Sequence, residues 1–237
     1  MNDDTPISSR LDADRPTFIS IFGKKGTGKS VLARRLWDTW PGDELCIDVT
    51  ADALGPRDVQ ATYNADVPDF WPMPTREDEP VRIRYVPDPK SPTYYDDMDR
   101  AVGLALKRPG SLVWIDEIGI VSRVNRSGPN LSHLLHQGRH KRMSALMCGP
   151  RPINVDPLVL AQSDYVYIFK LPNPNDRQRI AAECGIDPKT MDAAVHALGP
   201  HEYLRYDGDE LVHFPPIPLE RARPPRKPGA LEPDHDS

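Results

Sequence analysis

Short apolar runs alternate with longer segments of helical periodicity through most of the chain. Runs rich in β-branched and aromatic side chains predict strands, and apolar residues three or four positions apart predict helices. The predicted strands are residues 17–22, 45–47, 111–115, 144–149 and 165–169. A helical pattern follows Ser30 and stops at Pro41, with apolar residues at Val31, Leu32, Leu36 and Trp37. This alternation predicts an α/β fold with a mainly parallel sheet flanked by helices.

The two ends of the chain differ in composition from the middle. Residues 1–15 are polar and acidic, and residues 215–237 contain seven prolines and little aliphatic pattern, which favours extended tails. We therefore predict one domain over residues 16–214, between a flexible N-terminal tail and a Pro-rich C-terminal tail. Within it, residues 52–80 predict a long irregular insertion. Residues 203–214 predict a β-hairpin with a tight turn at Asp207-Gly208.

Composition narrows the cellular setting of the protein. A chain of 237 residues with 38% hydrophobic residues can bury one substantial core. Its three cysteines, Cys46, Cys148 and Cys184, form no CxxC pair, so neither a disulfide framework nor a zinc knuckle is indicated. No apolar run approaches the roughly 18 residues of a membrane span. These features predict a cytoplasmic protein without direct membrane insertion.

The stretch GKKGTGKS, residues 23–30, lies between a predicted strand and a predicted helix. This spacing of glycines before Lys and Ser is that of a phosphate-binding loop, in which backbone N–H groups and the helix N-terminus face the phosphates. Lys29 is expected to reach the β- and γ-phosphates of ATP, and Ser30 to hold Mg²⁺. The residues predicted to bind the nucleotide are Gly23, Gly26, Thr27, Gly28, Lys29, Ser30 and Val31.

Two adjacent carboxylates, Asp116 and Glu117, end the predicted strand at residues 111–115. Because side chains alternate along a strand, the two cannot act from the same direction. Asp116 is predicted to support Mg²⁺ and its water shell. Glu117 is predicted to act as the general base that polarises the attacking water.

Basic residues are concentrated in one part of a chain whose formal net charge is -5. Residues 118–155 contain no Asp or Glu and six Lys or Arg. Within this stretch, Arg123 and Arg126 follow the Asp-Glu pair, and such a local excess of positive charge is typical of a surface that binds nucleic-acid phosphates. The alternative interpretations are a solvated surface and pairing with acids of a neighbouring subunit.

The order of several segments resembles that of the FtsK/HerA superfamily of DNA-pumping ATPases. The segments are the glycine loop, the strand ending in Asp-Glu, the Gly-Arg-His segment at residues 138–140, the strand before Arg151-Pro152, and the strand after Asp164. The small viral packaging ATPases and the conjugation-type ATPases look closest in size. The resemblance covers about residues 17–214 and implies a RecA-like sheet, a homo-oligomeric ring that is hexameric in this superfamily, and ATP-driven movement of duplex DNA. In such a ring, the loop with Arg123 and Arg126 is able to face the central channel. These arginines are then predicted to bind the phosphates of double-stranded DNA, because a motor that moves along any sequence needs contacts that repeat along the backbone.

The resemblance also implies roles for individual residues. Arg139 is the predicted arginine finger, which neutralises charge on the γ-phosphoryl group of a neighbouring subunit's ATP, and Arg142 is the reserve candidate. Asp48 stands where the superfamily often has an acid, although a turn-forming Asp fits equally well. Pro150 stands where the superfamily has a polar sensor, and it has no side-chain hydrogen-bonding group. Either another group such as Asn154 senses the γ-phosphate, or coupling is weaker.

The predicted function is therefore an ATPase that drives DNA packaging or transfer. Two alternatives remain on the same sequence evidence. One is an ATP-binding assembly or regulatory factor with the same fold but without motor activity. The other is a small-molecule nucleotide kinase, which the Asp-Glu pair and the Gly-Arg-His segment match poorly.

Overall fold

The computed structural model describes residues 15–55, 59, 61–64, 80–123 and 126–218. For Asn64, Arg123 and Arg126 it describes the backbone alone. The predicted tails fall largely on residues 1–14 and 219–237, which lie outside the described residues, as do Phe70 and Trp71 of the predicted insertion. None of the helices in the described ranges is both long and apolar enough to cross a membrane.

The strands of the described residues form a nine-stranded sheet and a separate two-stranded ribbon. The strands are β1 (Phe18–Phe22), β2 (Glu44–Ile47), β3 (Ala61–Asn64), β4 (Arg82–Val86), β5 (Leu112–Ile115), β6 (Ser122–Arg123), β7 (Arg126–Ser127), β8 (Ser144–Gly149), β9 (Tyr165–Ile168), β10 (Tyr203–Tyr206) and β11 (Leu211–Phe214). The order across the large sheet is β11-β10-β9-β1-β8-β5-β2-β4-β3. Strands β1 to β5, β8 and β9 run parallel, and β10 and β11 extend the sheet antiparallel.

Helices cover both faces of the sheet. They are α1 (Lys29–Thr39), α2 (Tyr94–Ala105), α3 (Ile118–Val121), α4 (Pro129–Gln137), α5 (Pro157–Ala161), α6 (Pro174–Glu183) and α7 (Pro188–Ala197), with 3-10 turns at Gly138–Lys141 and Pro152–Asn154. Helices α4 to α7 begin at a proline, whose fixed φ suits the first helical position and whose missing N–H has no partner there in any case.

Burial on both faces explains why the central strands are continuously apolar. In β1, Phe18 and Phe22 join one core cluster, and Ile19 and Ile21 join the cluster on the opposite face. The second cluster also contains the apolar side of α1, where Trp37 lies 5.7 Å from Trp114 of β5 between ring centroids. Strands with both faces covered show no polar alternation, and the predicted α/β fold is confirmed.

Two local predictions were wrong. The segment predicted to be an irregular insertion contains β3, which pairs in parallel with β4; Ala61-Thr62-Tyr63 is too short a run for its pattern to be recognised without the partner strand. The hairpin of β10 and β11 exists, but four residues connect Tyr206 to Leu211. The Asp207 carboxylate accepts hydrogen bonds from the backbone N–H groups of Asp209 and Glu210, so the loop closes as an Asx turn.

Parallel strands place their carboxyl ends at one edge of the sheet. Gly23 follows β1, Asp48 follows β2, Asp116 follows β5, Pro150 follows β8 and Phe169 follows β9. The fold therefore brings most of the predicted site residues to this carboxyl edge, although they are far apart in the sequence.

Candidate active site

The phosphate-binding loop connects β1 to α1, as predicted. Gly26 and Gly28 have φ angles of 80° and 110°, a backbone region that side chains other than glycine rarely adopt. No side chain caps the start of α1, and its first turn contains no acidic residue. Since the first N–H groups of a helix have no intrahelical partner, they are available to an anion at this position.

Phe169, at the end of β9, supports the loop from behind. A Cβ added at Gly23 would lie 2.5 Å from Phe169 Cβ, and one added at Gly28 would lie 3.2 Å from Phe169 Cε1. The loop backbone is also held by hydrogen bonds from Gly23 N to Gly149 O and from Lys24 N to Lys170 O. Close packing therefore requires glycine at position 23, and at position 28 both close packing and backbone conformation favour it. No motif in the sequence points to Phe169, because the contact joins distant segments.

Lys29 lies within the loop and close to both predicted carboxylates. Its Nζ donates a hydrogen bond to Lys24 O at 3.1 Å, and Thr27 Oγ1 donates to the same carbonyl at 2.7 Å. Burial lowers the pKa of Lys29, and the nearby acidic groups Glu117 and Asp116 oppose that shift. The ammonium group is thus held inside the curved loop, where a bound phosphate would replace the carbonyl as its partner.

Asp116 is oriented by Thr50, which lies in the loop after β2. Thr50 Oγ1 donates to Asp116 Oδ2 at 2.6 Å, and Thr50 N donates to the same oxygen at 3.3 Å. Burial raises the pKa of Asp116, and the Thr50 hydrogen bonds act in the opposite direction. Thr50 therefore favours the ionised carboxylate that a metal ligand requires. The sequence patterns did not identify Thr50.

Asp48 fixes the loop that carries Thr50. Its carboxylate is fully buried, accepts backbone hydrogen bonds from residues 52–54 and pairs with Arg84 Nε at 2.7 Å. The sequence leaves two interpretations of Asp48, an acid shared with the superfamily and a turn-forming residue. Its contacts within the chain are those of a turn-forming residue. It acts on the site by holding the loop of Thr50, and its charge also raises the pKa of Asp116 directly.

Glu117 lies beside Asp116 at the start of α3. Burial, and next the Asp116 carboxylate, raise the pKa of Glu117 to about 7. A general base works best when its pKa is near the operating pH. A Cβ added at Gly119 would lie 3.9 Å from Glu117 Oε1 and 4.0 Å from Asn154 Cβ, so the candidate sensor Asn154 is on the same side of the site as Glu117.

The oxygen donors present fit a magnesium ion better than a metal held by protein alone. Within the described ranges, no three His, Cys, Asp or Glu residues cluster as a metal site. Mg²⁺ commonly takes one or two protein oxygens and completes its shell with water and substrate phosphates. Ser30, exposed at the start of α1, and the Asp116 carboxylate supply such oxygens.

Replacing Thr50 with Val tests whether this hydroxyl orients the metal ligand. We expect Thr50→Val to raise the Mg²⁺ concentration for half-maximal ATP turnover about tenfold, the lower end of the strength of a hydrogen bond to a charged group. The measurement is a magnesium titration of turnover at pH 8. Thr39→Val is the matched control, because the Thr39 hydroxyl bonds only carbonyls of its own helix. An unchanged magnesium dependence in Thr50→Val would contradict this role.

Arg139 lies at the amino edge of the sheet, opposite the phosphate loop of its own chain. Its guanidinium bonds Asp164 Oδ1 at 3.0 Å and Gln162 Oε1 at 3.0 Å, and it lies 4.7 Å above the centroid of the Phe18 ring. It therefore cannot reach the ATP site of its own chain. Action on a neighbouring subunit stays a prediction.

Arg123 and Arg126 face each other as a backbone pair in the short ribbon of β6 and β7. Ser122 Oγ and Ser127 Oγ lie 2.9 Å apart at its base, and Ser127 Oγ donates to Asp156 Oδ2 at 3.3 Å. The helix that follows the ribbon, α4, is held as well: backbone N–H groups of its first turn donate hydrogen bonds to Asp99 of α2. The ribbon is thus anchored at its base and follows Glu117 by only one short helix.

Comparison with known proteins identifies the family. No family model matches the chain. The DNA packaging ATPase P9 of Enterobacteria phage PRD1 is 30% identical over 238 aligned residues, which span 91% of this chain and 93% of that protein. This chain belongs to the viral DNA-packaging ATPases. It is therefore a member of the FtsK/HerA-type P-loop ATPases, and both the predicted family and the predicted ATPase class are confirmed.

Solved structures agree with the fold of this packaging ATPase. The genome packaging NTPase B204 of Sulfolobus turreted icosahedral virus 2, in complex with AMP, has a TM-score of 0.65 at 18% identity and covers 87% of this chain and all of its own. The pCW3 conjugation coupling protein TcpA, with ATPγS, has a TM-score of 0.58 at 12% identity over 86% of this chain and 61% of its own. Family membership favours the motor over a nucleotide kinase or a regulatory factor.

Proposed function

We propose that this packaging ATPase hydrolyses ATP at the carboxyl edge of its sheet and uses the energy to move double-stranded DNA into a viral capsid. The decisive observation is that the fold brings the Asp116-Glu117 pair and the phosphate loop, 86 residues or more apart in sequence, to the same carboxyl edge of the sheet, after β5 and β1 and separated only by β8. ATP turnover measured with and without duplex DNA tests this proposal, and a turnover that DNA leaves unchanged contradicts it.

Each residue has a separate task in the proposed reaction. The loop N–H groups and Lys29 bind the phosphates, and Ser30 and Asp116 hold Mg²⁺. The metal, when bound, neutralises charge on the β- and γ-phosphates. Glu117 accepts a proton from the attacking water, whose oxygen bonds the γ-phosphorus as the bond to the bridging oxygen of ADP breaks. Gly23, Gly26, Thr27, Gly28 and Val31 complete the nucleotide site.

We further propose that the active form is a homo-oligomeric ring, a hexamer, acting in the host cytoplasm. The position of Arg139 supports a subunit arrangement in which one chain's amino edge meets the next chain's ATP site. Asp164 then holds the guanidinium only until the neighbouring phosphate replaces it. Hydrolysis would depend on assembly, because the charge developing on the γ-phosphoryl group is neutralised by another chain.

Variants of Arg139 and its partner separate a catalytic role from a structural one. We expect Arg139→Ala to bind ATP normally but to lose turnover about a thousandfold, the usual value of an arginine finger. Asp164→Asn should keep turnover, since it removes one resting ion pair of Arg139 while Gln162 still accepts from the guanidinium and an Asn oxygen can still accept from Phe18 N. Mixing Arg139→Ala with Glu117→Gln chains should restore some turnover at mixed interfaces.

Arg142→Ala is the control for this experiment, because Arg142 belongs to the same basic segment and is the reserve candidate. Its turnover should stay near that of the wild type. A mixture without rescue, or an Arg139→Ala protein that merely melts at lower temperature with normal turnover, would argue against a finger at Arg139.

The ribbon of β6 and β7 is the proposed DNA contact. Its anchored base supports this role, since Ser122, Ser127 and Asp156 hold it in place while Glu117 lies one helix away. We expect Arg123→Ala/Arg126→Ala to keep ring assembly and basal turnover, to lose stimulation by duplex DNA, and to flatten the salt dependence of DNA binding. The slope of log affinity against log salt should become shallower by about 0.9 for each DNA phosphate that the variant no longer neutralises.

The control double variant is Lys90→Ala/Lys189→Ala, which removes two exposed positive charges, one in the turn between β4 and α2 and one on α7. It should retain DNA stimulation, so that a loss in the arginine variant cannot be attributed to net charge. Gel filtration reports ring assembly. A full response to DNA in Arg123→Ala/Arg126→Ala would show that the ribbon is not the contact, and loss of the ring would favour pairing with acids of a neighbouring subunit.

A further inference from the structure

His201 lies beside the phosphate loop, in the turn between α7 and β10. Its Nδ1 is 3.8 Å from the position that a Cβ would occupy at Gly28, the residue before Lys29. Its φ angle is 63°, a left-handed conformation uncommon for residues other than glycine, and the residue is exposed. An uncommon backbone conformation that presents an exposed ring beside a ligand-binding loop suggests a functional contact.

The surrounding contacts hold this turn in place. The Glu202 carboxylate accepts a hydrogen bond from Gly199 N at 2.8 Å, and His213 Nε2 of β11 lies 2.9 Å from the same oxygen. Lys170, which follows Phe169, donates from its Nζ to the carbonyls of His196 and Leu198. The position of the His201 backbone beside the loop is therefore fixed from two directions.

The strand order determines which part of the nucleotide faces His201. The carboxylates follow β5, which is separated from β1 by β8, whereas β9 and β10 lie on the other side of β1. Water attack requires Glu117 near the γ-phosphate, so the triphosphate points from the loop toward β5. The opposite end of the nucleotide, its nucleoside, then points toward the β9 and β10 side, where His201 lies.

An exposed apolar side chain lies on α1 just after the loop. Val31 has 37% of its surface exposed and is one of two large exposed hydrophobic residues in the described part of the chain. It follows Ser30 directly, so a nucleotide whose phosphates rest on the helix N-terminus passes next to it. Val31 and the His201 ring both offer the nonpolar surface that a flat purine base can cover.

We propose that His201 is a nucleoside-binding residue of this site, with its imidazole packed against the base of ATP and Val31 providing a second nonpolar contact. The inference rests on the proposed ATP site, because it takes the orientation of the triphosphate from Glu117. It adds a residue outside the phosphate loop that distinguishes a nucleotide from inorganic phosphates.

Calorimetric titration with ADP and with inorganic pyrophosphate, each with Mg²⁺, tests this inference on the full chain. Both ligands offer two phosphates, but only ADP carries a nucleoside. We expect His201→Ala to weaken ADP binding about fivefold, the range of an aromatic contact, and to leave pyrophosphate binding unchanged. His201→Asn should behave alike; since Asn tolerates the left-handed region, its weaker ADP binding would come from the missing ring and not from backbone strain.

His196→Ala is the matched control, because His196 is also exposed but lies in the last turn of α7. It should bind both ligands like the wild type. Equal losses for ADP and pyrophosphate would mean that His201 supports the phosphate loop, and unchanged ADP binding would mean that it does not touch the nucleotide; either result overturns the inference. Absence of ATP turnover in the wild type would contradict the proposed function alone, since the ADP comparison would still report on His201.

Discussion

Glu117→Gln is expected to abolish ATP turnover while leaving ATP affinity nearly unchanged. The amide has almost the shape of the carboxylate but cannot accept the proton of the attacking water, and loss of a general base typically costs about 10²- to 10⁴-fold in rate. Single-turnover hydrolysis and equilibrium ATP binding, measured on the same preparation, separate the two effects. Unchanged turnover in Glu117→Gln would contradict the role of Glu117 as the general base.

The pH profile provides an independent check on the same residue. Burial and Asp116 raise the pKa of Glu117 to about 7, and a base must be ionised to act. The kcat/KM for ATP should therefore rise with pH and level off above about 7, falling tenfold per unit on the acidic side. The residual kcat/KM of Glu117→Gln should not show this fall on the acidic side. Glu210→Gln, in the exposed hairpin loop, is the control that should keep it.

Lys29→Ala is expected to lose both ATP binding and turnover. The ammonium is the cation that the structure places inside the curved loop, and a charge-assisted hydrogen bond contributes about 1.5–3 kcal/mol. We therefore expect ATP affinity to fall about 100-fold, with turnover falling at least as far. Titration with ATP followed by a turnover assay at saturating ATP measures both.

Lys25→Ala is the matched control within the same loop. Lys25 is exposed and occupies a variable position of the motif, so its removal changes the loop's charge without removing a phosphate ligand. ATP affinity within about threefold of wild type is expected, as for an exposed charge pair. If the two lysine variants lose affinity equally, the loop binds phosphate through overall charge and the specific role of Lys29 is wrong.

The sequence by itself determined the local parts of the site. The phosphate loop is recognisable because eight consecutive residues contain everything it needs: the glycines that allow its backbone conformation, the lysine that reaches the phosphates, and the first residues of the helix. Asp116 and Glu117 are recognisable because the buried strand before them is continuously apolar. The α/β class follows similarly from the alternation of runs and periodic segments, and the family from the order of its motifs.

Only the tertiary structure decided which distant residues complete the site. Thr50 meets Asp116 because β2 and β5 are neighbours in the sheet, and Phe169 supports the loop because β9 lies beside β1. His201 belongs to a turn whose sequence carries no motif. Arg139 lies at the amino edge because the segment that carries it precedes β8, so its predicted partner cannot be its own ATP. Sheet order and strand direction set these contacts, and neither is encoded in the spacing of residues along the chain.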